Sequence, residues 1–358
     1  MTTIDKPRLD EAALEQFVHQ AVGDLAAAIS GLMVHLGDRL GLYAALAESG
    51  PLTPADLATR TGTHERYVRE WLSNQAAGGY LAFDAEAGTF ELSAEHALVL
   101  ADENSPVFLG GAFETIASCF TDHEAFVTAF TTGEGIAWGA HDDRLFSGCL
   151  RLFRPGYAAN LVQSWLPALD GVVEKLRSGA SVADVGCGYG ASTLIMAREF
   201  ERSTFVGTDN HAPSISEARA AAVAEGLDRR AQFEVAPATE IPGEGYDLVT
   251  MFDCLHDMGD PVGAARSVRE SLASDGTFLL VEPAAGESLA DNLNPVGRLY
   301  YGLSSVICTP SSLSQDVALG LGAQAGPARL EEVLREAGFT HVRVATQTPL
   351  NLIIEARP

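Results

Sequence analysis

The sequence predicts an α/β protein in two parts: a doubly wound, mostly parallel sheet in its C-terminal half, preceded by an all-α unit that carries one short β-hairpin. Two observations carry this prediction. From Ser181 onward, short apolar strands alternate with helix-length segments, and the first strand runs directly into a glycine-rich turn and a helix. Before residue 104, apolar residues recur at helical spacing, and capping residues mark helix starts.

In the C-terminal part the strands are read at Val182–Val185, Thr204–Asp209, Ala231–Val235, Asp247–Phe252 and Gly276–Val281. Helices at Ala191–Phe200 and Ser214–Glu225 separate the first three. The segments Phe339–Val344 and Asn351–Ala356 read as a closing hairpin.

In the N-terminal part, Leu14, Phe17, Val18, Val22 and Leu25, then Leu32, Leu36, Leu40, Tyr43 and Leu46, outline one or two amphipathic helices from Asp10 to about Ala47. Thr53-Pro54-Ala55-Asp56 supplies an N-cap, a proline at the first helical position and an acid in the first turn. Gly62-Thr63-His64-Glu65 turns the chain into a second helix that ends at Ala77, before Gly78-Gly79. Two short strands about Tyr80–Phe83 and Thr89–Leu92 then complete a helix-turn-helix with a wing. Such a unit binds either DNA or protein. Residues 1–104 hold six basic and sixteen acidic side chains, and Glu65 and Glu70 offset Arg66 and Arg69 on the second helix, so DNA is the disfavoured partner. Residues 105–179 read as a helical linker interrupted by a glycine-rich loop, Thr131–Gly139, which is either a plain turn or a lid whose Trp138 and His141 face a substrate. The domains are therefore expected at 1–104, 105–179 and 180–358.

Composition bounds the rest. At 358 residues, 47% hydrophobic and 20% charged, the chain fits two globular domains. No apolar run reaches the roughly 18 to 20 unbroken residues of a membrane span, and Met1–Gln16 lacks the pattern of a secretion signal, so a soluble cytoplasmic protein is expected. The five cysteines are scattered without a C-x-x-C pair, which argues against disulfides and a zinc site. A net charge of −25 disfavours nucleic acid and anionic membranes and leaves a small-molecule substrate as the expected partner.

The chemistry concentrates around Gly186, Gly188 and Gly190. A glycine turn lets backbone approach a ligand closely, and an acid at the tip of the next strand, Asp209, can grip two ribose hydroxyls. That much suits NAD and S-adenosylmethionine (SAM) alike. Two details favour SAM: Asp184 lies inside the first strand, and the glycines run G-x-G-x-G instead of the G-x-G-x-x-G preferred by a pyrophosphate. Asn210, Ala238, Thr239, Phe252 and Asp253 complete the candidate cofactor contacts.

The order Asp184, Gly186, Gly188, Gly190, Asp209 resembles the class I SAM-dependent methyltransferases, whose Rossmann-like sheet ends in an inserted antiparallel strand. Over nearly the whole chain the sequence is similar to the bacterial winged-helix methyltransferases, and more distantly to plant caffeate-type and animal hydroxyindole O-methyltransferases. Cys254-Leu255-His256-Asp257-Met258-Gly259-Asp260 is similar to their "LHDW-x-D" segment, and Leu280-Val281-Glu282 to their strand-ending "AE". The resemblance implies SAM as cofactor with S-adenosylhomocysteine as product, His256 as general base, Glu282 as its orienting partner and a homodimer built on the N-terminal helices. Asp257 is either a helix cap or the second member of the pair. The chain departs from the plant pattern at Pro237–Pro242, leaving adenine to the backbone near Ala238 or to Thr239, and at Gln324, where those enzymes carry a second acid. The second departure leaves N-, S- and C-methylation open. Asp253, Asp257 and Asp260 read as caps and solvated charge, with no metal expected. The segment Asn294–Leu321, with Tyr300, is read as a cap over the crevice. Two further functions stay open at this point: a SAM-binding regulator that uses its winged helix on DNA, and an NAD-dependent oxidoreductase.

Overall fold

A computed structural model describes residues 9–358. Met1–Arg8, half of the Met1–Gln16 segment expected to lack a secretion signal, lie outside the described residues. The chain forms two compact units that divide between Ala117 and Ser118. The segment 105–179 is shared between them.

The first unit opens with α1 (Glu11–Arg39), capped by Asp10, whose side chain accepts from the amides of Ala12 and Ala13. Gly41, at φ 69°, takes the left-handed turn that separates α1 from α2 (Leu42–Ser49). The expected caps then appear: Thr53 accepts from the Asp56 amide to start α3 (Pro54–Thr61), and His64 starts α4 (Glu65–Ala77). Strands β1 (Ala82–Asp84) and β2 (Thr89–Glu91) pair antiparallel as the wing, followed by α5 (Ala94–Leu100). Leu42, Tyr43, Leu46, Leu57, Trp71 and Leu72 form the core. Trp71 donates its indole N–H to the Met33 carbonyl at 2.8 Å and lies so close to α1 that a Cβ on Gly37 would meet its ring at 2.3 Å. On α4, Arg66 pairs with Glu70 and Arg69 with Glu65. The charge offset seen in the sequence is thus a pair of ion pairs.

Helix α1 corrects one expectation. Counting only unbroken apolar runs finds no span, yet by length and composition this 29-residue helix is long and apolar enough to cross a membrane. Its apolar residues instead form a stripe: Val18, Val22, Leu25, Ile29, Leu32 and Leu36 follow one another at steps of three and four and are exposed, Leu25 by 71%.

The second unit begins with the end of α6 (Gly110–Thr121), then α7 (His123–Thr132), α8 (Arg144–Asn160) and α9 (Val172–Ser178). Seven strands follow: β3 (Ser181–Val185), β4 (Thr204–Asp209), β5 (Ala231–Val235), β6 (Tyr246–Phe252), β7 (Leu272–Pro283), β8 (His341–Gln347) and β9 (Asn351–Arg357). Their order is β5-β4-β3-β6-β7-β9-β8, parallel through β7, with β9 inserted antiparallel between β7 and β8. Helices α10 (Ala191–Glu199), α11 (Ala212–Ala224), α12 (Pro261–Ser271), α13 (Pro295–Leu303), α14 (Thr309–Leu313) and α15 (Gly326–Glu336) connect them. Two apolar clusters pack on the sheet, one around Leu194, Met196, Phe205 and Ile215, the other around Met251, Val268, Leu330 and Leu334. Strand order reverses at β3, between β4 and β6, which opens a crevice at the C-terminal tips of β3 and β6.

Asp184 holds this switch point together. It is 1% exposed, and its carboxylate accepts from Ser192 Oγ at 2.6 Å, Thr193 Oγ1 at 2.5 Å and Thr250 Oγ1 at 2.9 Å, tying β3 to α10 and β6. Burial raises its pKa, against the lowering effect of the three hydroxyls. Asp184→Ala leaves those donors buried without an acceptor, so it should cost about 3 kcal/mol or more, read as a fall in the denaturation midpoint, whereas Asp184→Asn, which keeps one acceptor oxygen, should cost less. A midpoint unchanged in Asp184→Ala would contradict this.

Candidate active site

A cavity of about 600 Å³, within the range of small-molecule sites, lies in the second unit at the switch point. One end is built by the turn after β3. Gly186 sits at φ 73°, and a Cβ there would meet Cys254 Sγ at 2.6 Å; Gly190, at φ 80°, packs where a Cβ would strike the Phe233 ring at 2.8 Å. Only glycine fits either position. Asp209 closes this end: its Oδ2 accepts from the Gly188 amide at 2.9 Å and its Oδ1 from the His211 amide at 2.8 Å. Burial raises its pKa, while the two backbone donors pull it back. Each oxygen keeps acceptor capacity for a ligand hydroxyl. Gly186, Gly188, Asn210, Ala238 and Thr239 line the cavity with Asp209. Gly190 and Asp184 are not on its wall; they shape the turn from behind.

The opposite end is set by the tips of β6 and β7. Phe252 and Asp253 lie on the wall. Asp253 takes a positive φ of 50°, a left-handed conformation uncommon for a non-glycine residue. Its Oδ2 accepts from Tyr157 Oη at 3.1 Å and its Oδ1 from Asn351 Nδ2 at 3.0 Å. Burial, reinforced by the Glu282 charge, pushes the Asp253 carboxyl up to about 7.

Just beyond, the 3₁₀ turn Leu255–Asp257 presents His256, which is 4% exposed. Its Nδ1 lies 2.5 Å from Glu282 Oε2, and the Leu255 amide donates to Glu282 Oε1 at 3.0 Å. Its Nε2 lies 3.1 Å from Asp257 Oδ1. Burial works to lower the His256 pKa, but the carboxylates of Glu282 and Asp257 outweigh it and hold the imidazole well above its ordinary value. Asp257 lines the cavity; His256 and Glu282 stand directly behind it. Of the three acids read as caps, Asp260 does cap α12, through the Gly263 amide at 2.7 Å.

The remaining wall is apolar and was mostly missed in the sequence. Phe146, Cys149, Leu150, Phe153, Arg154 and Tyr157 of α8 all line the cavity. Their spacing is that of one helix face, a signal present in the sequence. Trp138 faces them and packs edge-on to Phe146, with centroids 5.5 Å apart. The loop before it is pinned on α14: Ile136 donates to the Pro310 carbonyl at 2.9 Å, and Gly135 abuts the Leu313–Ser314 backbone. Ser311, Ser314 and Gln315 complete this side. His141, Tyr300 and Gln324 do not line the cavity. His141 turns Nδ1 toward Asp122 at 3.3 Å, Tyr300 donates to the Leu350 carbonyl at 3.1 Å, and Gln324 donates to the Ala323 carbonyl at 3.0 Å.

Comparison with known proteins fits both units. Residues 27–102 match the family described as an Rv2258c-like winged HTH domain, and residues 176–338 match a methyltransferase domain. The mitomycin biosynthesis 6-O-methyltransferase of Streptomyces lavendulae is 26% identical over 364 aligned residues, covering 94% of this chain and 100% of that protein. The structure of the mitomycin 7-O-methyltransferase MmcR superposes with a TM-score of 0.69 at 20% identity, over 97% of this chain and 100% of its own. Human N-acetylserotonin methyltransferase in complex with SAM gives 0.66 at 17% identity, over 100% and 99%. At such identities the solved structures share the fold, and the methyltransferase match decides between the two cofactors that the glycine turn had left open. The glycine cradle and the free acceptor capacity of Asp209 fit an adenosyl ligand. The chain is therefore a SAM-dependent methyltransferase that carries a winged helix-turn-helix domain at residues 27–102 and a methyltransferase domain at residues 176–338.

Proposed function

We propose that this enzyme methylates a hydroxyl of a flat, largely apolar small molecule, with His256 as base and Glu282 and Asp257 as its partners. The observation that carries the reading is the buried Glu282–His256–Asp257 array, set at the tips of β6 and β7 with Asp257 on the cavity wall. The relative from Streptomyces lavendulae, similar over its full length, is an O-methyltransferase by name.

When bound, SAM supplies a methyl already activated on a sulfonium. What the chain adds is alignment and proton acceptance. Asp209 and the glycine turn hold the nucleoside, and Trp138 with the α8 face sandwiches the acceptor ring. Glu282 engages Nδ1, so Nε2 is the nitrogen that takes the acceptor's proton, and the two carboxylates stabilise the resulting imidazolium. The same carboxylates keep much of the resting imidazole protonated, so kcat/KM should keep rising with pH above 7 instead of levelling near 6.5. Removing one carboxylate in Glu282→Gln should move that rise to lower pH and reduce the rate. His256→Ala should lower kcat about 100-fold or more with SAM affinity unchanged. Labelled SAM offered with matched phenols, anilines and thiols checks the acceptor, and transfer to nitrogen or sulfur alone would overturn the reading, as would a normal rate in His256→Ala.

Asp253 adds a pH dependence of its own. A cationic ligand beside its carboxyl favours the ionised form, so SAM binding should release a proton where the free group titrates, at about 7. Affinity by calorimetry should then weaken about tenfold from pH 8 to pH 6, and Asp253→Asn should flatten the profile.

The winged-helix unit serves assembly in this reading. The paired arginines of α4 and the acidic charge of the unit argue against phosphate contacts, while the exposed stripe of α1 suits the same helix of a second copy in a homodimer. Leu25→Glu combined with Ile29→Glu should yield monomers by light scattering, and a wild-type protein that is itself monomeric at micromolar concentration would refute the dimer. Five free cysteines suit a reducing compartment, and we place the enzyme in the cytoplasm.

A further inference from the structure

We propose that the base cluster is also a zinc site, in which His256 Nε2, a carboxylate oxygen of Asp257 and Cys308 Sγ bind one Zn²⁺, and that its occupancy switches transfer off. One ligand atom from each of these residues lies within 4.8 Å of the others. Imidazole, carboxylate and thiolate form a donor set suited to zinc. The sequence hides the site, because Cys308 lies far along the chain from His256 and no C-x-x-C pair announces it. The fold delivers Cys308 at the end of a π-helical turn, Ser304–Cys308, an irregularity that often marks functional positions.

Three details separate this arrangement from ordinary core packing. The first is spacing: Asp257 Oδ1 is buried and lies 3.1 Å from His256 Nε2. That separation is close to the ~3.3 Å between nitrogen and oxygen ligands on one tetrahedral zinc. The second detail is Glu282, which engages Nδ1 and leaves Nε2 as the coordinating nitrogen, the carboxylate–histidine–metal arrangement that orients metal-binding imidazoles. The third is access: Asp257 lines the cavity, so an ion can enter from there and keep a fourth position for solvent. Binding takes the thiolate and the Nε2 lone pair, and the displaced protons go to solvent.

Coordination removes the nitrogen that the acceptor's proton needs. The silencing therefore rests on the base assignment proposed above, whereas the binding does not. The test uses the full chain, stripped with chelator and titrated with Zn²⁺ by calorimetry and with Co²⁺ by absorption. We expect one equivalent of Zn²⁺ bound, a sulfur-to-cobalt charge-transfer band, and at least a tenfold loss of turnover that chelator restores. Cys308→Ser should abolish the band while S-adenosylhomocysteine still binds, which certifies the fold, and Glu282→Gln should weaken zinc about 10- to 100-fold. No binding, or a band that persists in Cys308→Ser, overturns the metal site and leaves the base assignment standing. One equivalent bound with turnover unchanged overturns the silencing and the base role of His256 together.

Discussion

The constraint on which the site depends is the burial of Glu282, 1% exposed at the end of β7. An ion this deep is tolerated only when it is fully partnered, and its two oxygens are satisfied by the Leu255 amide and by His256. The imidazole is thereby fixed in position and biased toward its charged form. Burial, with the charge of Glu282 added, drives Asp253 up to about 7 and pushes the Cys254 thiol up. Asp209, Asp253, Asp257, Asp260 and Asp316 all line one cavity, against Arg154. A wall of that composition favours a cationic ligand, and a sulfonium is one.

Acids that look alike in the sequence divide into different kinds of work for reasons of depth. Asp184 and Asp209 both belong to the pattern that suggested a nucleoside site, yet only Asp209 reaches the cavity. Asp184 spends both its oxygens on three internal hydroxyls and acts as a clamp between β3, α10 and β6. An acid within a motif is thus a ligand only when the fold leaves it lone pairs facing space.

What the sequence made legible was local. Strand, glycine turn, helix and the acid that ends β4 lie within about thirty residues, and each obeys a rule of backbone geometry, so both the sheet and the glycine-turn end of the cavity could be read. The α8 face was written just as plainly, at 146, 149, 150, 153, 154 and 157, but periodicity says only that a helix has an apolar side, and that side covers a core more often than a ligand. His141 and Gln324 show the opposite limit. They were singled out by loop position and by resemblance to the plant-type pattern, and neither argument fixes where a side chain points; both turn to local partners. The convergence of Cys308 on His256 depends on a tertiary contact between segments some fifty residues apart.

Features that make a good base also make a good metal ligand. Each role needs an imidazole held by a carboxylate, one nitrogen presented, a desolvated setting and an open approach. Around His256 the first three coincide, with the cavity reaching it by way of Asp257, and the thiol of Cys308 tips the donor set toward a soft cation. In the proposed reading a proton and a zinc ion compete for the same lone pair. The outcome in that reading depends on the free concentration of metal, because Nε2 is both the coordinating nitrogen and the one that takes the acceptor's proton. A site proposed for proton transfer would thus respond to metal through the identity of one neighbouring side chain, Cys308.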